Sequence, residues 1–167
     1  MNITSKSRYA LKAMIDLASR DPDQVVQRAD IAKRQGIPGD YIDHILARLR
    51  TSGLILSIRG RKGGFKLAVP AEEISAWMIF RSVEDSFFPV LCLDDNEEAN
   101  SVLCESFCSS RDAWGVISST VEKGLSGIIL SDLVDQLSKQ PMISASALAS
   151  MSLGDKKSME CRAPRRS

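Results

Sequence analysis

Arg28-Ala-Asp-Ile-Ala-Lys-Arg-Gln-Gly36-Ile-Pro-Gly-Asp40-Tyr-Ile-Asp-His44-Ile-Leu-Ala-Arg48-Leu-Arg50 holds two short helical patterns separated by a break. Residues 28–35 make the first. Gly36, Pro38 and Gly39 stop it and permit a sharp turn into the next. The second pattern runs from about Asp40 to Ser52, with Ile42, Ile45, Leu46 and Leu49 recurring at helical spacing on one face. Asp40, Asp43, His44, Ala47, Arg48 and Arg50 fall mostly on the other face, and Gly53 supplies the stop. Two short helices joined by a tight glycine-containing turn make a helix-turn-helix, whose second helix enters the DNA major groove; the alternative is an ordinary helical hairpin.

The flanking sequence argues against a plain hairpin. Leu54-Ile-Leu-Ser-Ile-Arg59 and Phe65-Lys-Leu-Ala68 read as two strands joined by Gly60-Arg-Lys-Gly-Gly64, a connection too flexible and too basic for a buried turn. That pattern is a wing, and Arg59, Arg61 and Lys62 at its tip can reach phosphates or a narrow minor groove, where arginine is favoured. Upstream, Thr4 or Ser5 caps a helix running to about Arg20, whose Ala10, Leu11, Met14, Ile15, Leu17 and Ala18 form one apolar stripe. The expected fold is therefore mainly α with a small β-wing: a winged helix-turn-helix domain followed by a long dimerisation helix.

Charge follows the same division. Residues 1–66 carry 13 Lys/Arg against 6 Asp/Glu, and residues 67–112 carry 2 against 10. A basic head points to a polyanion partner, because each cation that meets a phosphate releases counterions. Arg28, Pro38 and Arg48 join the candidate DNA-contacting set with the wing-tip residues and His44, which in this setting more often meets phosphate than a base. The expected partners are a double-stranded DNA operator and a second copy of the chain. A non-DNA scaffold that uses a winged helix to bind protein would show no salt-dependent DNA affinity, which the basic head makes hard to accept.

An enzyme fits poorly. The one histidine, His44, lies on the proposed recognition helix, so no Cys-His or Ser-His pair forms near the cysteines. Gly60-Arg-Lys-Gly-Gly64 lacks the spacing of a nucleotide-binding loop. No catalytic residue and no small-molecule substrate is expected. No apolar run is long enough to span a membrane and Met1–Ala10 lacks the apolar stretch of a secretory signal, so the expected location is cytoplasmic, with the four cysteines as reduced thiols.

Cys92, Cys104 and Cys108 fall within 17 residues of one another in the acidic middle. Thiolates are soft ligands suited to iron-sulfur clusters and zinc. If residues from 104 onward are helical, Cys104 and Cys108 lie one turn apart on one face and Cys92 arrives from a loop. The neighbouring Asp94, Asp95, Glu97, Glu98 and Glu105 raise thiol pKa and oppose an anionic cluster, and free cysteines are also common as small buried hydrophobes. A cluster, thiol oxidation or partner sensing without one, and zinc all remain open. Cys161 belongs to a Ser-, Lys- and Arg-rich tail from about Gln140, expected to be disordered, and is read as a free thiol.

The remaining elements connect these parts. Glu73 to about Asp85 is expected to be a helix packed beneath the wing, its Trp77 and Met78 serving the core rather than a cofactor. A longer helix from about Cys104 to Gly124 carries Phe107, Trp114, Ile117 and Val121, an apolar surface that needs a partner. Gly124 and Gly127 interrupt it before Leu130, and Ser131 is placed as the cap of a last helix, Asp132 to Lys139. The expected organisation is a DNA-binding domain over 1–85, a cysteine-containing sensor segment over 86–111, the dimerisation helix and final short helix over 112–139, and a tail over 140–167.

Over roughly residues 1–135 the chain also resembles the winged-helix regulators typified by the iron-sulfur-cluster regulator IscR and the nitric-oxide-responsive repressor NsrR. The likeness rests on Thr4-Ser-Lys-Ser-Arg-Tyr-Ala10, Ala29-Asp-Ile-Ala-Lys-Arg-Gln-Gly-Ile37, Tyr41, Leu46, Leu49, Gly53-Leu54, Arg59-Gly60, Gly63-Gly-Phe-Lys-Leu67, Val83-Glu84, Trp114, Leu130 and Leu133-Val134. It implies a homodimeric DNA-binding regulator, usually a repressor, in which Tyr41 and Asp43 face the major groove and Arg59 the minor groove. It implies that Thr4, Ser5 and Lys6 meet phosphate. It further implies that Cys92, Cys104 and Cys108 hold a [2Fe-2S] or [4Fe-4S] cluster whose state controls DNA affinity. The spacing C-x11-C-x3-C departs from the family's more even one, and Arg111 and Arg8 stand where relatives carry a histidine or aspartate ligand; neither can ligate, so no fourth ligand is identified.

Overall fold

The computed structural model describes residues 4–84 and 110–139. Helix α1 (Ser5–Ala18) starts at Thr4, whose hydroxyl accepts the Lys6 amide at 3.0 Å. Its apolar stripe delivers Ala10, Ala13, Met14 and Leu17 to the core. Helix α2 (Arg28–Gln35) contributes only Ile31 to that core and ends at Gly36, which adopts φ 61 and ψ 40. That left-handed conformation, cheap only for glycine, reverses the chain so that Ile37 drops into the core and Pro38 opens α3 (Gly39–Thr51). Ile42, Ile45, Leu46 and Leu49 are buried, as their spacing requires. The helix pair is thus held by one continuous apolar cluster, in which truncating a fully buried isoleucine such as Ile45 would cost about 2–5 kcal/mol.

The wing is the antiparallel pair β1 (Ile55–Ile58) and β2 (Gly64–Leu67), with Ile55 opposite Leu67 and Ile58 opposite Gly64. A third backbone segment joins it: Val26 and Phe65 exchange hydrogen bonds of 2.9 and 2.8 Å, tying the wing to the residues just before α2. Gly64 makes this possible, since a Cβ there would stand 2.3 Å from the Val26 carbonyl oxygen.

After the wing the structure departs from the reading of the sequence. Instead of one helix from Glu73, a 3-10 turn (Ala71–Glu73) leads to extended Ile74 and Ser75, and α4 covers only Ala76–Val83. Ile74 and Ser75 are extended because they pair with a later segment: Leu130 donates to the Ile74 carbonyl and Ala76 to that of Ile128, both at 2.8 Å. Helix α4 buries Ala76, Ile79, Phe80 and Val83 and packs chiefly across α1 and α3 rather than beneath the wing. Helix α5 (Arg111–Ser126) lies on α4, with Val121 and Leu125 against the core. The last helix, α6 (Leu130–Lys139), starts before Ser131, which therefore sits in its first turn rather than capping it; pairing of Leu130 with Ile74 sets that start. The proposed helix start at Cys104 and the tail lie outside the described residues.

Candidate nucleic-acid interface

Helix α3 turns Asp40, Tyr41, Asp43, His44 and Ala47 outward while its opposite face is sealed in the core. Tyr41 is braced edge-on by Tyr9 at 5.8 Å between ring centroids, and the Arg8 guanidinium lies over the Tyr9 ring at 5.1 Å. Asp43 pairs with Arg28, the first residue of α2, across a surface where the two side chains are 56% and 52% exposed. A pair this exposed is worth about 0–1 kcal/mol, so the carboxylate can exchange its partner for a base-edge donor at small cost. Pro38 precedes α3 and is exposed. The N-termini of α2 and α3 lack a side-chain cap, whereas α1 and α4 are capped by Thr4 and Ser75. Uncapped first-turn amides, with the positive end of the helix dipole, are the ordinary donors to an anion.

At the wing, Arg59, Gly60, Arg61 and Lys62 are all exposed, and the tip is closed by the Gly63 amide on the Gly60 carbonyl at 2.9 Å. A separate group forms where α1, α3 and α4 meet: Lys6, Tyr41, His44, Ile45, Arg48 and Val83 line a cavity of about 280 Å³. Four residues singled out from the sequence are brought together there, and the wing-tip residues are not among its walls. Arg48 is half-buried and donates to the Val83 carbonyl at 3.2 Å. Ser5 is exposed at the start of α1. The Thr4 hydroxyl, expected to meet phosphate, also donates to Glu84 Oε1 at 2.6 Å.

Glu84, part of the family likeness, has a role here that the sequence alone does not assign. Its Oε1 accepts from the Thr4 hydroxyl, the Thr4 amide at 3.4 Å and the buried Ser7 hydroxyl. Burial works to raise its pKa, but the hydrogen bonds from Ser7 and Thr4 outweigh that and hold the carboxyl below the usual glutamate value. Asp16 is the second such group. Only 5% exposed, it takes both Arg34 Nε (2.9 Å) and Nη2 (2.7 Å), with Gln35 at 3.2 Å, and so locks α1 to α2. Burial opposes its charge, and the bonds from Arg34 and Gln35 with the nearby Arg20 lower its pKa nonetheless. A charged residue between Ala13 and Leu17 on the apolar face of α1 is the signal that could have found it.

Cys92, Cys104, Cys108 and Cys161 lie outside the described residues. Among the described residues no group of three His, Cys, Asp or Glu could hold a metal ion, and no helix is long and apolar enough to cross a membrane.

An exposed helix-turn-helix, a glycine-built basic wing and a core closed by a C-terminal helix define a winged-helix DNA-binding transcription regulator. More particularly, the chain belongs to the Rrf2 family of iron-dependent transcriptional regulators, whose model matches residues 3–136. The HTH-type transcriptional regulator IscR of Photobacterium profundum is 35% identical over 134 residues, covering 80% of this chain and 76% of that one. Among solved structures, CymR, the global cysteine regulator of B. subtilis, is similar at a TM-score of 0.63 and 31% identity over 81% of this chain and 98% of its own. IscR of T. potens gives 0.62 and 26% over 94% and 96%. The named relatives are transcription regulators and not enzymes.

Proposed function

We propose that this chain is a cytoplasmic, homodimeric repressor that binds a double-stranded operator and whose affinity is set by an iron-sulfur cluster on Cys92, Cys104 and Cys108. One observation carries the DNA reading: α3 presents Tyr41, Asp43 and His44 from a sealed core, next to uncapped helix N-termini and a basic wing. Tyr41, Asp43 and His44 would meet the major groove, Arg59 the minor groove, and Arg28, Pro38, Arg48, Arg61, Lys62 and the Thr4-Ser5-Lys6 segment the backbone. Dimerisation is supported by α5, where Val116 and Ile117 are 66% and 46% exposed on a helix whose other side is already packed. A second copy would cover that face and set two recognition helices about one DNA turn apart. The cluster is supported by the iron-dependent family and by the IscR relatives. When bound, it would supply a redox- and iron-sensitive crosslink of the segment between α4 and α5.

A second reading has its own support. Solved structures similar to this chain include the oxidised form of Staphylococcus aureus CymR, at 31% identity and a TM-score of 0.60. In that reading the same cysteines respond by thiol oxidation or through a partner protein, with no cluster. An anaerobic visible spectrum with iron and sulfide counts separates the two, alongside anisotropy titration of an operator duplex. Alanine at Cys92, Cys104 or Cys108 should abolish colour and give the metal-free affinity, and Cys161→Ala should do neither. Absence of iron after anaerobic reconstitution would leave the thiol reading.

A further inference from the structure

The end of α4 is held from two sides at consecutive residues. Val83 offers its carbonyl to Arg48 of α3, and Glu84 takes the hydroxyls of Thr4 and Ser7 from the first turn of α1. Lys6 lies between those two hydroxyl residues, and Lys6, Arg48 and Val83 all line the same cavity. On α3 the lining residues Tyr41, His44, Ile45 and Arg48 follow the i, i+3, i+4, i+7 pattern of one flank, at the edge of the outward recognition face. A DNA backbone runs beside a helix seated in the major groove at such an edge. Among the described residues the walls are an ammonium, a guanidinium, an imidazole and a phenol over an apolar floor of Ile45 and Val83, with no carboxylate in the lining. The donor set suits a phosphodiester group, for which the roughly 280 Å³ leaves ample room.

We propose that this cavity seats one phosphate of the DNA backbone and that Glu84 is its positioning residue, acting through Thr4 and Ser7 to fix Lys6 opposite Arg48. The inference rests on the DNA-binding reading of the same surface. Glu84 never meets DNA in this scheme. Its carboxylate orders the first turn of α1, and the adjoining Val83 carbonyl orders Arg48, so the cationic walls are built before DNA arrives.

The test is a salt titration of anisotropy with a duplex of about 30 base pairs, some three helical turns, selected by wild-type protein from a random-sequence pool. Proteins to compare are wild type, Lys6→Ala, Glu84→Ala, Ser7→Ala and the Lys6→Ala/Glu84→Ala pair, each melted in parallel to confirm folding. A lost phosphate contact flattens the slope of log affinity against log salt by about 0.9, so the deficit of a variant narrows about 3.5-fold between 50 and 200 mM salt. Glu84→Ala and Ser7→Ala should show that flattening, as Lys6→Ala does, and the pair should be no flatter than Lys6→Ala alone. Ser7→Ala removes one hydroxyl and keeps the test decisive if Glu84→Ala does not fold. Weaker binding at an unchanged slope would make Glu84 merely structural and overturn the proposal, as would unaltered binding. Failure of the wild type to enrich or bind any duplex would overturn the DNA-binding reading and the seat with it.

Discussion

Replacing Asp16 with asparagine keeps the shape of the side chain and removes its charge, so it isolates what the α1–α2 lock contributes. The native carboxylate accepts two hydrogen bonds from Arg34 and one from Gln35, with Arg20 a further 3.6 Å away. Hydrogen bonds to charged groups contribute about 1.5–3 kcal/mol each. Asparagine retains one acceptor oxygen but turns an amide N–H toward a guanidinium. The Arg34 and Arg20 side chains are 36% and 27% exposed, so water recovers part of the loss on their side. The net expectation is a destabilisation of about 2–3 kcal/mol, or about 5–10 °C in Tm for a chain of 167 residues. The pH dependence has a definite sign. Because folding lowers the Asp16 pKa, its contribution is present above the unfolded carboxylate value and is lost as pH falls through the lower native one. Urea unfolding of wild type and Asp16→Asn should therefore differ by a constant amount from pH 7 to about 5 and converge below about pH 4. A melting temperature within about 1 °C of wild type at pH 7, or a gap that persists undiminished at pH 3, would refute the assignment of the lock as charged and stabilising.

Gly64→Ala would press a Cβ to within 2.3 Å of the Val26 carbonyl and force the Val26–Phe65 bridge apart. Loss of its two hydrogen bonds should cost about 1–3 kcal/mol and weaken DNA binding by displacing the wing, seen together in melts and anisotropy. Arg59→Ala should weaken operator binding and relax preference at one position by about 1–3 kcal/mol if Arg59 reads a base edge; an unchanged titration at fixed salt would reject the wing contact. Ile117→Asp places a charge on the open face of α5. Light scattering should then give a monomer of 18.3 kDa where the wild type gives twice that mass, and a wild type that is itself monomeric at micromolar concentration would remove the dimer reading.

What was legible in the sequence follows the range over which each signal acts. The helix-turn-helix depends on neighbours: Gly36 ends α2 because its own backbone must be left-handed, and Ile42, Ile45, Leu46 and Leu49 mark the inner face of α3 by spacing alone. The wing was equally local, its strands found to within a residue or two from the apolar runs on either side of a glycine-rich tip. The misplaced start of α4 shows where local reasoning stops. Ile74 belongs to a helical pattern with Trp77 and Met78, yet its carbonyl is claimed by Leu130, more than fifty residues on, and pairing at long range holds it extended. The same pairing starts α6 at Leu130 and makes a cap at Ser131 unnecessary. Glu84 is the extreme case, because its partner Thr4 lies 80 residues away and neither residue is unusual beside its neighbours. The family likeness places Thr4 against phosphate, and the structure adds to its hydroxyl both a cap to make and a carboxylate to satisfy. A hydroxyl so engaged also holds the first turn of α1, and with it Lys6, in place. The part of the interface that sequence could not supply is therefore the scaffolding behind its cations, which only three-dimensional proximity defines.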